Sequence, residues 1–209
     1  MKKIVYTLLI LSCMVSFNSC KKKVTGCTDA TATNYNSNAT EDDGSCTFNL
    51  AVGQNYQGGI IAYVYQSGEP GYVAGETHGI IASPSDLSSG VQWYNGSSMV
   101  TGATSNSGGS NNTNTIVSTQ GSGNYAAKLC QDLVLGGYSD WYLPSKAELT
   151  VLYSKKTSIG GFTAANYWSS TEYAPSGAGN AWYYSTAGNG YAAYGNKANL
   201  YAVRAIRAF

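Results

Sequence analysis

The sequence predicts an α+β chain in which many short strands surround two helices. Three observations carry that expectation. Short β-rich runs, GGIIAYVYQ at 58–66 and GIIAS at 79–83, are separated by Gly and Pro turn signals. Two apolar stripes at helical spacing follow, one near residues 125–135 and one from Ser145, each with its own stop or start signal. The 209 residues suit one ordinary domain with small additions, and the abundance of Gly (25) and Tyr (18) beside only 4 Pro suits a loop-rich globular domain with aromatic anchors.

The first residues read as a targeting segment, with residues 1–19 forming a signal peptide. Lys2 and Lys3 form a basic start, residues 4–15 are a short apolar run, and FNSC follows at 17–20. The apolar run is too short to span a bilayer as a helix. A small residue before Cys20 resembles a bacterial lipobox, with Cys20 as the lipidated first residue of the mature chain and Phe17 departing from the usual Leu. Residues 20–25 then form a lipid-anchored tether, whose lysines 21–23 suit an anionic headgroup layer. The expectation is an outer-membrane lipoprotein displayed at the cell surface.

A small module occupies residues 26–48. Cys27 and Cys46 bracket a segment rich in Asn, Asp, Thr and Ala, and in an oxidising compartment that pattern implies a Cys27–Cys46 disulfide. The stretch resembles short GCTD…NY…DDGSC modules of exported Bacteroidetes proteins. Asp42 and Asp43 beside Gly44 are candidate ligands for a structural Ca²⁺, which needs six to eight oxygens. The spacing is not an EF-hand loop, and a stapled spacer with acidic turn residues is the plainer reading; no other cofactor is expected.

The main domain spans 49–209. After the two strand-like runs, residues 95–124, including TSNSGGSNNTNT, have the composition of a loop anchored only by Ile116 and Val117. The first helix covers 125–135, with Ala126, Leu129, Cys130 and Leu133 on one face and Gly136-Gly137 as its stop. The second begins at Ser145, where Ser-Lys-Ala-Glu is a capping box and Leu149, Leu152 and Tyr153 supply the apolar stripe. Beyond Gly160-Gly161 the chain reads as short strands and loops, ending on VRAIRAF as its last strand.

The order DWYLPSKAELTVLY (140–153), NYWSSTEY (166–173), Ala181-Trp182 and VRAIRAF (203–209), with AAKLC (126–130) and GGYSDW (136–141) ahead of it, resembles the family typified by the C-terminal domain of the Legionella collagen-like adhesin. That resemblance implies a C-type lectin-like (formylglycine-generating-enzyme-like) fold with two helices and short twisted antiparallel strands. It implies termini lying close together and a loop-rich binding face. It does not imply sugar binding: calcium lectins carry Glu-Pro-Asn or Gln-Pro-Asp, and here Glu69-Pro70-Gly71 stands without a Trp-Asn-Asp partner.

Charge composition narrows the partners. Net charge is +1, and residues 50–209 hold seven basic and seven acidic side chains, which supports neither nucleic-acid binding nor a strong polyanion site. The enzymes of this fold work through paired cysteines, whereas Cys130 stands alone in the domain on a helix face that should be buried. His78 is the sole histidine and reads as a surface residue, Glu148 is already engaged as a cap, and no catalytic residues are expected.

The candidate ligand-binding segment is the tyrosine-rich stretch between Ala181-Trp182 and VRAIRAF. Its residues are those of antibody loops: tyrosine gives a large amphipathic contact at low rotamer cost, and small residues permit tight turns. Tyr183, Tyr184, Ser185, Thr186, Asn189, Tyr191, Tyr194, Asn196, Asn199 and Tyr201 are the candidate contacts. The competing reading is a glycine-rich hairpin whose tyrosines cover a sheet. A further resemblance is to C-type lectin-like targets of diversity-generating retroelements, which mutate adenines, chiefly in AAC codons. Such changes reach Tyr, Ser, Thr, Ala, Gly, Leu and Asn but not Lys, and Lys197 alone in 183–202 lies outside that set, as a framework position. The expected partner is a protein or glycan on another cell, phage or host surface. A structural envelope or matrix lipoprotein without a specific ligand is the alternative.

Overall fold

The computed structural model describes residues 22–209, so the signal peptide, Cys20 and Lys21 lie outside the described residues. The chain divides into two compact units, one ending at Asn49 and one running from Leu50 to Phe209. In the first, Cys27 and Cys46 are disulfide-bonded across a sequence separation of 19. Closing a loop of that size stabilises the folded state by about 3 kcal/mol in the chain-entropy description. The Asn34 side chain ties its own turn to the segment around Cys46, donating to the Ser45 carbonyl at 2.6 Å and accepting from the Thr47 amide at 2.8 Å. Asp42 and Asp43 accept from the amides of Gly44 and Ser45, at 3.2 and 3.0 Å, so both act as turn residues. Among the described residues no three His, Cys, Asp or Glu side chains cluster as metal ligands.

The second unit is mixed α+β. Its elements in chain order are β1 (Asn55–Tyr56), β2 (Gly59–Val64), β3 (Gly79–Ala82), β4 (Ser88–Val91), α1 (Gly109–Gln120), α2 (Ala126–Gln131), α3 (Lys146–Ser154), α4 (Lys156–Ile159), β5 (Asn166–Glu172), β6 (Asn180–Ser185), β7 (Tyr191–Asn196), β8 (Tyr201–Val203) and β9 (Ile206–Ala208). A 3-10 helix, Ala174–Gly179, joins β5 to β6. One sheet has the order β1-β2-β3-β9 and the other β4-β8-β5-β6-β7. Pairing is antiparallel except between β5 and β8, where Tyr167 meets Ala202 in parallel. The Tyr56 and Phe209 rings meet edge-on at 5.3 Å, which brings the two ends of this unit together.

Two helices were expected, and the described residues hold four. The largest correction is α1, which lies inside the stretch expected to be loop. Its sequence has no apolar stripe, and tertiary contacts build it instead. Asn112 donates to the Ser105 carbonyl at 2.7 Å, and the Thr113 hydroxyl accepts from the Leu143 amide at 3.0 Å. Ile116 is fully buried. The α2 helix ends earlier than its apolar spacing suggests, since the Leu133 amide turns back to the Cys130 carbonyl at 3.2 Å. At α3 the capping box is complete: Ser145 accepts from the Glu148 amide and Glu148 accepts from the Ser145 amide.

VRAIRAF is also not one strand. Val203 ends β8 in the larger sheet, and Ile206 begins β9 in the smaller one. Its two arginines fasten the chain on either side of the switch. Arg204 is buried, donating from Nε to Asp86 at 2.7 Å and from a terminal nitrogen to the Ser83 carbonyl at 2.8 Å. Arg207 grips Asp140 through both carboxylate oxygens, at 2.7 and 2.9 Å, and its guanidinium lies 3.9 Å from the Tyr138 ring centre. Bidentate pairs of this kind fix orientation as well as distance.

Three tryptophans, Trp93, Trp141 and Trp168, fill the main core with Ile61, Ile81, Ile116, Leu143 and Val203. The indole N–H groups of Trp93 and Trp168 are satisfied by the carbonyls of Ser169 and Val91, at 2.8 and 2.9 Å, so these rings bury area without stranding a donor. Cys130 is fully buried, and desolvation pushes its thiol far above its usual range.

Candidate functional site

The tyrosine-rich segment is a hairpin of β6 and β7 on the edge of the larger sheet, followed by the turn into β8. The register pairs Trp182 with Tyr194, Tyr183 with Ala193, Tyr184 with Ala192 and Ser185 with Tyr191. Successive side chains point to opposite faces of a strand, so neighbouring tyrosines must part company.

On one face Tyr194 stacks flat on Tyr173, with ring centres 3.8 Å apart and planes 2° from parallel. Trp182 stands edge-on to both, at 5.5 Å from Tyr173 and 5.8 Å from Tyr194. The Lys146 ammonium, from the start of α3, lies 3.4 Å from the Trp182 ring centre. Further along the same face Tyr184 packs against Tyr153 of α3 at 4.9 Å and is buried.

On the other face Trp168 underlies Tyr201 at 4.4 Å and Tyr183 at 6.3 Å, while the two tyrosine rings meet at 4.8 Å. Asn199 donates to the Tyr201 hydroxyl at 2.8 Å. Burial, followed by the neighbouring Tyr201 and Tyr191, raises the Tyr183 phenol above its ordinary range. Gly195 makes this crowding possible, because a Cβ there would come within 3.2 Å of both the Tyr183 ring and the Tyr201 hydroxyl.

Both ends of the hairpin are fixed. At the tip the Tyr153 hydroxyl donates to the Gly188 carbonyl at 3.1 Å. Gly190 has φ 69°, and a Cβ there would overlap the Tyr153 ring, so the tip requires glycine on two counts. At the base Lys197 is buried. Its ammonium pairs with Glu172, donates to the Met99 carbonyl at 3.0 Å and lies 4.5 Å from the Trp93 ring centre. Glu172 in turn accepts from the amides of Thr101 and Gly102, each at 2.9 Å. Desolvation lowers the Lys197 pKa, while the Glu172 contact opposes that fall.

The ten candidate contact residues therefore separate into three sets. Tyr184, Ser185 and Thr186 are buried, and Thr186 accepts from the Ala165 amide at 2.9 Å, so these three hold the hairpin. Tyr183, Asn199 and Tyr201 are half-buried. Asn189 and Asn196 are exposed, as are Tyr191 (58%) and Tyr194 (50%). Sequence reasoning missed Tyr173, Lys146 and Leu200, the last 66% exposed beside this group. Tyr173 and Lys146 come from other elements, and no local pattern marks their approach.

Elsewhere, His78 bridges the Phe209 carbonyl at 3.0 Å and Glu76 at 2.7 Å; Glu76, then the carbonyl, raises its pKa. No helix among the described residues is long and apolar enough to cross a membrane. None of the curated proteins matches this chain. The Lcl C-terminal domain model matches residues 84–207, from the loop before β4 to the second arginine of VRAIRAF, and the chain belongs to that family.

Proposed function

We propose that this chain is a binding protein of the cell surface, in which a C-type lectin-like domain presents the β7 edge of the β6–β7 hairpin and the turn into β8 to a ligand. Tyr191 and Tyr194 are the principal contacts, one on each face of the edge strand β7; Tyr183, Asn199 and Tyr201 extend the Tyr191 face, and Asn189, Asn196 and Leu200 form the rim. One observation carries the reading. Tyr191, Tyr194 and Leu200 are large apolar side chains exposed at 58, 50 and 66%, on a segment pinned at both ends by Tyr153 and by the buried Lys197. Rigid, amphipathic rings held on a fixed frame give contact area at small entropic cost. The ligand is a protein or glycan on another cell, phage or host surface, and binding rather than catalysis is the activity.

Anchoring belongs to the same proposal: Cys20 carries lipid and the stapled module holds the domain away from an outer membrane. So does diversification of the hairpin by a retroelement. The burial of Lys197 supports it, because the one residue that adenine mutagenesis cannot supply is the one the fold demands for Glu172. The DNA is the test of that part: the bases encoding residues 181–209 should have a near-copy nearby that differs at adenines, beside a reverse transcriptase gene. The binding reading is tested with the full chain on beads presented to intact cells, phage particles and glycans. Capture should be lost in the Tyr191→Ala/Tyr194→Ala variant; undiminished capture by that variant would contradict it.

A further inference from the structure

A cavity lies on the opposite side of α3 from the hairpin, and it is acidic. Lys146, Leu149 and Tyr153 face β6, whereas Ala147, Glu148 and Val151 line a cleft of about 310 Å³ closed by Tyr63, Tyr65, Glu69 and Ile80. That volume lies in the range of small-ligand sites. Among the described residues the only charged side chains lining it are Glu69 and Glu148, and none of its lining residues is basic.

The charges of the domain make this arrangement informative. Residues 50–209 contain seven carboxylate side chains. Five are paired with bases: Glu76 with His78, Asp86 with Arg204, Asp132 with Lys128, Asp140 with Arg207 and Glu172 with Lys197. The two without a basic partner among the described residues are Glu69 and Glu148, and both line this one cleft. Each is held by neutral donors. Glu69 accepts from the Tyr63 hydroxyl at 2.6 Å and the Gln66 amide at 2.8 Å. Glu148 accepts from the Tyr142 hydroxyl at 3.0 Å and the Ser145 amide at 2.7 Å. Those contacts fix the carboxylates in place and leave their charge uncancelled.

Burial raises the Glu148 pKa above its ordinary value, as expected of a carboxylate desolvated without a counter-ion. The Tyr65 phenol is raised as well, by desolvation first and then by Glu148 and Glu69, so both charges act across the cleft. The walls are aromatic: Tyr63 and Tyr65 meet edge to face at 6.0 Å. Carboxylates beside tyrosine faces are the surroundings in which an organic cation gains both charge pairing and cation–π attraction.

We propose that this cleft binds an organic cation, an alkylammonium or guanidinium group, held between Glu69 and Glu148 and against the rings of Tyr63 and Tyr65. Basic side chains of a peptide and free quaternary amines share that chemistry. The site is separate from the hairpin face and does not depend on it.

The test uses the full chain with labelled tyrosine rings, titrated in separate experiments with Nα-acetyl-lysine methylamide, Nα-acetyl-arginine methylamide, choline and the neutral norleucine analogue. The Tyr63 and Tyr65 ring signals should move with the cations and not with norleucine. A response to the amides alone identifies a side-chain source, and a response to choline alone identifies a free amine; either supports the cation site. Glu69→Gln should weaken binding about tenfold, the scale of one charge-assisted hydrogen bond. Glu148→Gln should do the same, and glutamine keeps the capping box, so α3 stays formed. Equal shifts with norleucine, cation binding unchanged in both Gln variants, or no shift with any probe would overturn the proposal.

Discussion

Lys197 and Glu172 form an ion pair whose side chains are 1% and 0% exposed, at the base of the tyrosine-rich hairpin. Glu172 belongs to β5 and also holds the amides of Thr101 and Gly102, so one buried carboxylate ties the hairpin base to the loop before α1. Removing one partner of such a pair strands the other charge in a desolvated site. Lys197→Ala is therefore expected to cost about 3–5 kcal/mol, read as a lower denaturant midpoint. A change below about 1 kcal/mol would show that water reaches Glu172.

The tyrosines of the segment should respond oppositely to truncation. Tyr184 is buried against Tyr153, and Tyr184→Ala should cost about 3 kcal/mol through lost burial and the cavity left behind. Tyr191 is 58% exposed, and Tyr191→Ala should stay within about 0.5 kcal/mol of the parent. Equilibrium unfolding of the two variants side by side separates a tyrosine that holds the sheet from one that is free for contact.

Gly190→Ala tests how the hairpin tip is fixed. The substitution meets a φ of 69° and a Cβ that overlaps the Tyr153 ring. A destabilisation of about 1–3 kcal/mol is expected. Amide exchange should accelerate in residues 186–192, since the Tyr153 hydroxyl loses its hold on Gly188.

Two carboxylates should leave opposite marks on the pH dependence of stability. Arg207 hydrogen-bonds Asp140 and holds its pKa below the ordinary value. Its contribution is present above the unfolded pKa of about 3.9 and is lost as pH falls through the lower folded value. Glu148 is raised by burial, so its contribution is present below the unfolded pKa of about 4.3 and is lost as pH rises through the higher folded value. Thermal melts from neutral to acid pH should show Asp140→Asn converging on the parent at the acid end. Glu148→Gln should instead gain on the parent as pH rises. Parallel curves for either variant would contradict the assignment.

What the sequence disclosed follows the range of the interactions involved. The start of α3 was legible because Ser145 and Glu148 satisfy each other within one turn. The disulfide was legible from two cysteines that bracket one short polar segment. Helix α1 was not, because its polar residues are held by Ser105 and Leu143 from outside the helix. The break in VRAIRAF was hidden for the same reason: Asp86 and Asp140, far off in sequence, decide where each arginine goes. The tyrosine composition singled out the hairpin, but composition cannot assign faces. Strand register does that, sending Tyr184 and Tyr194 to one face and Tyr183 and Tyr191 to the other, and Tyr153 of α3 then covers Tyr184 while Tyr194 stays exposed.

The most direct measurement is tyrosine nitration mapped by mass spectrometry, on the free full chain and on the chain bound to a surface that captures it. In the free chain Tyr191 and Tyr194 should react and the buried Tyr125, Tyr167 and Tyr184 should not. On binding, Tyr191 and Tyr194 should become protected while the exposed Tyr35 and Tyr72 remain reactive. Protection confined to Tyr35 or Tyr72, with Tyr191 and Tyr194 reactive throughout, would contradict a binding face on the hairpin.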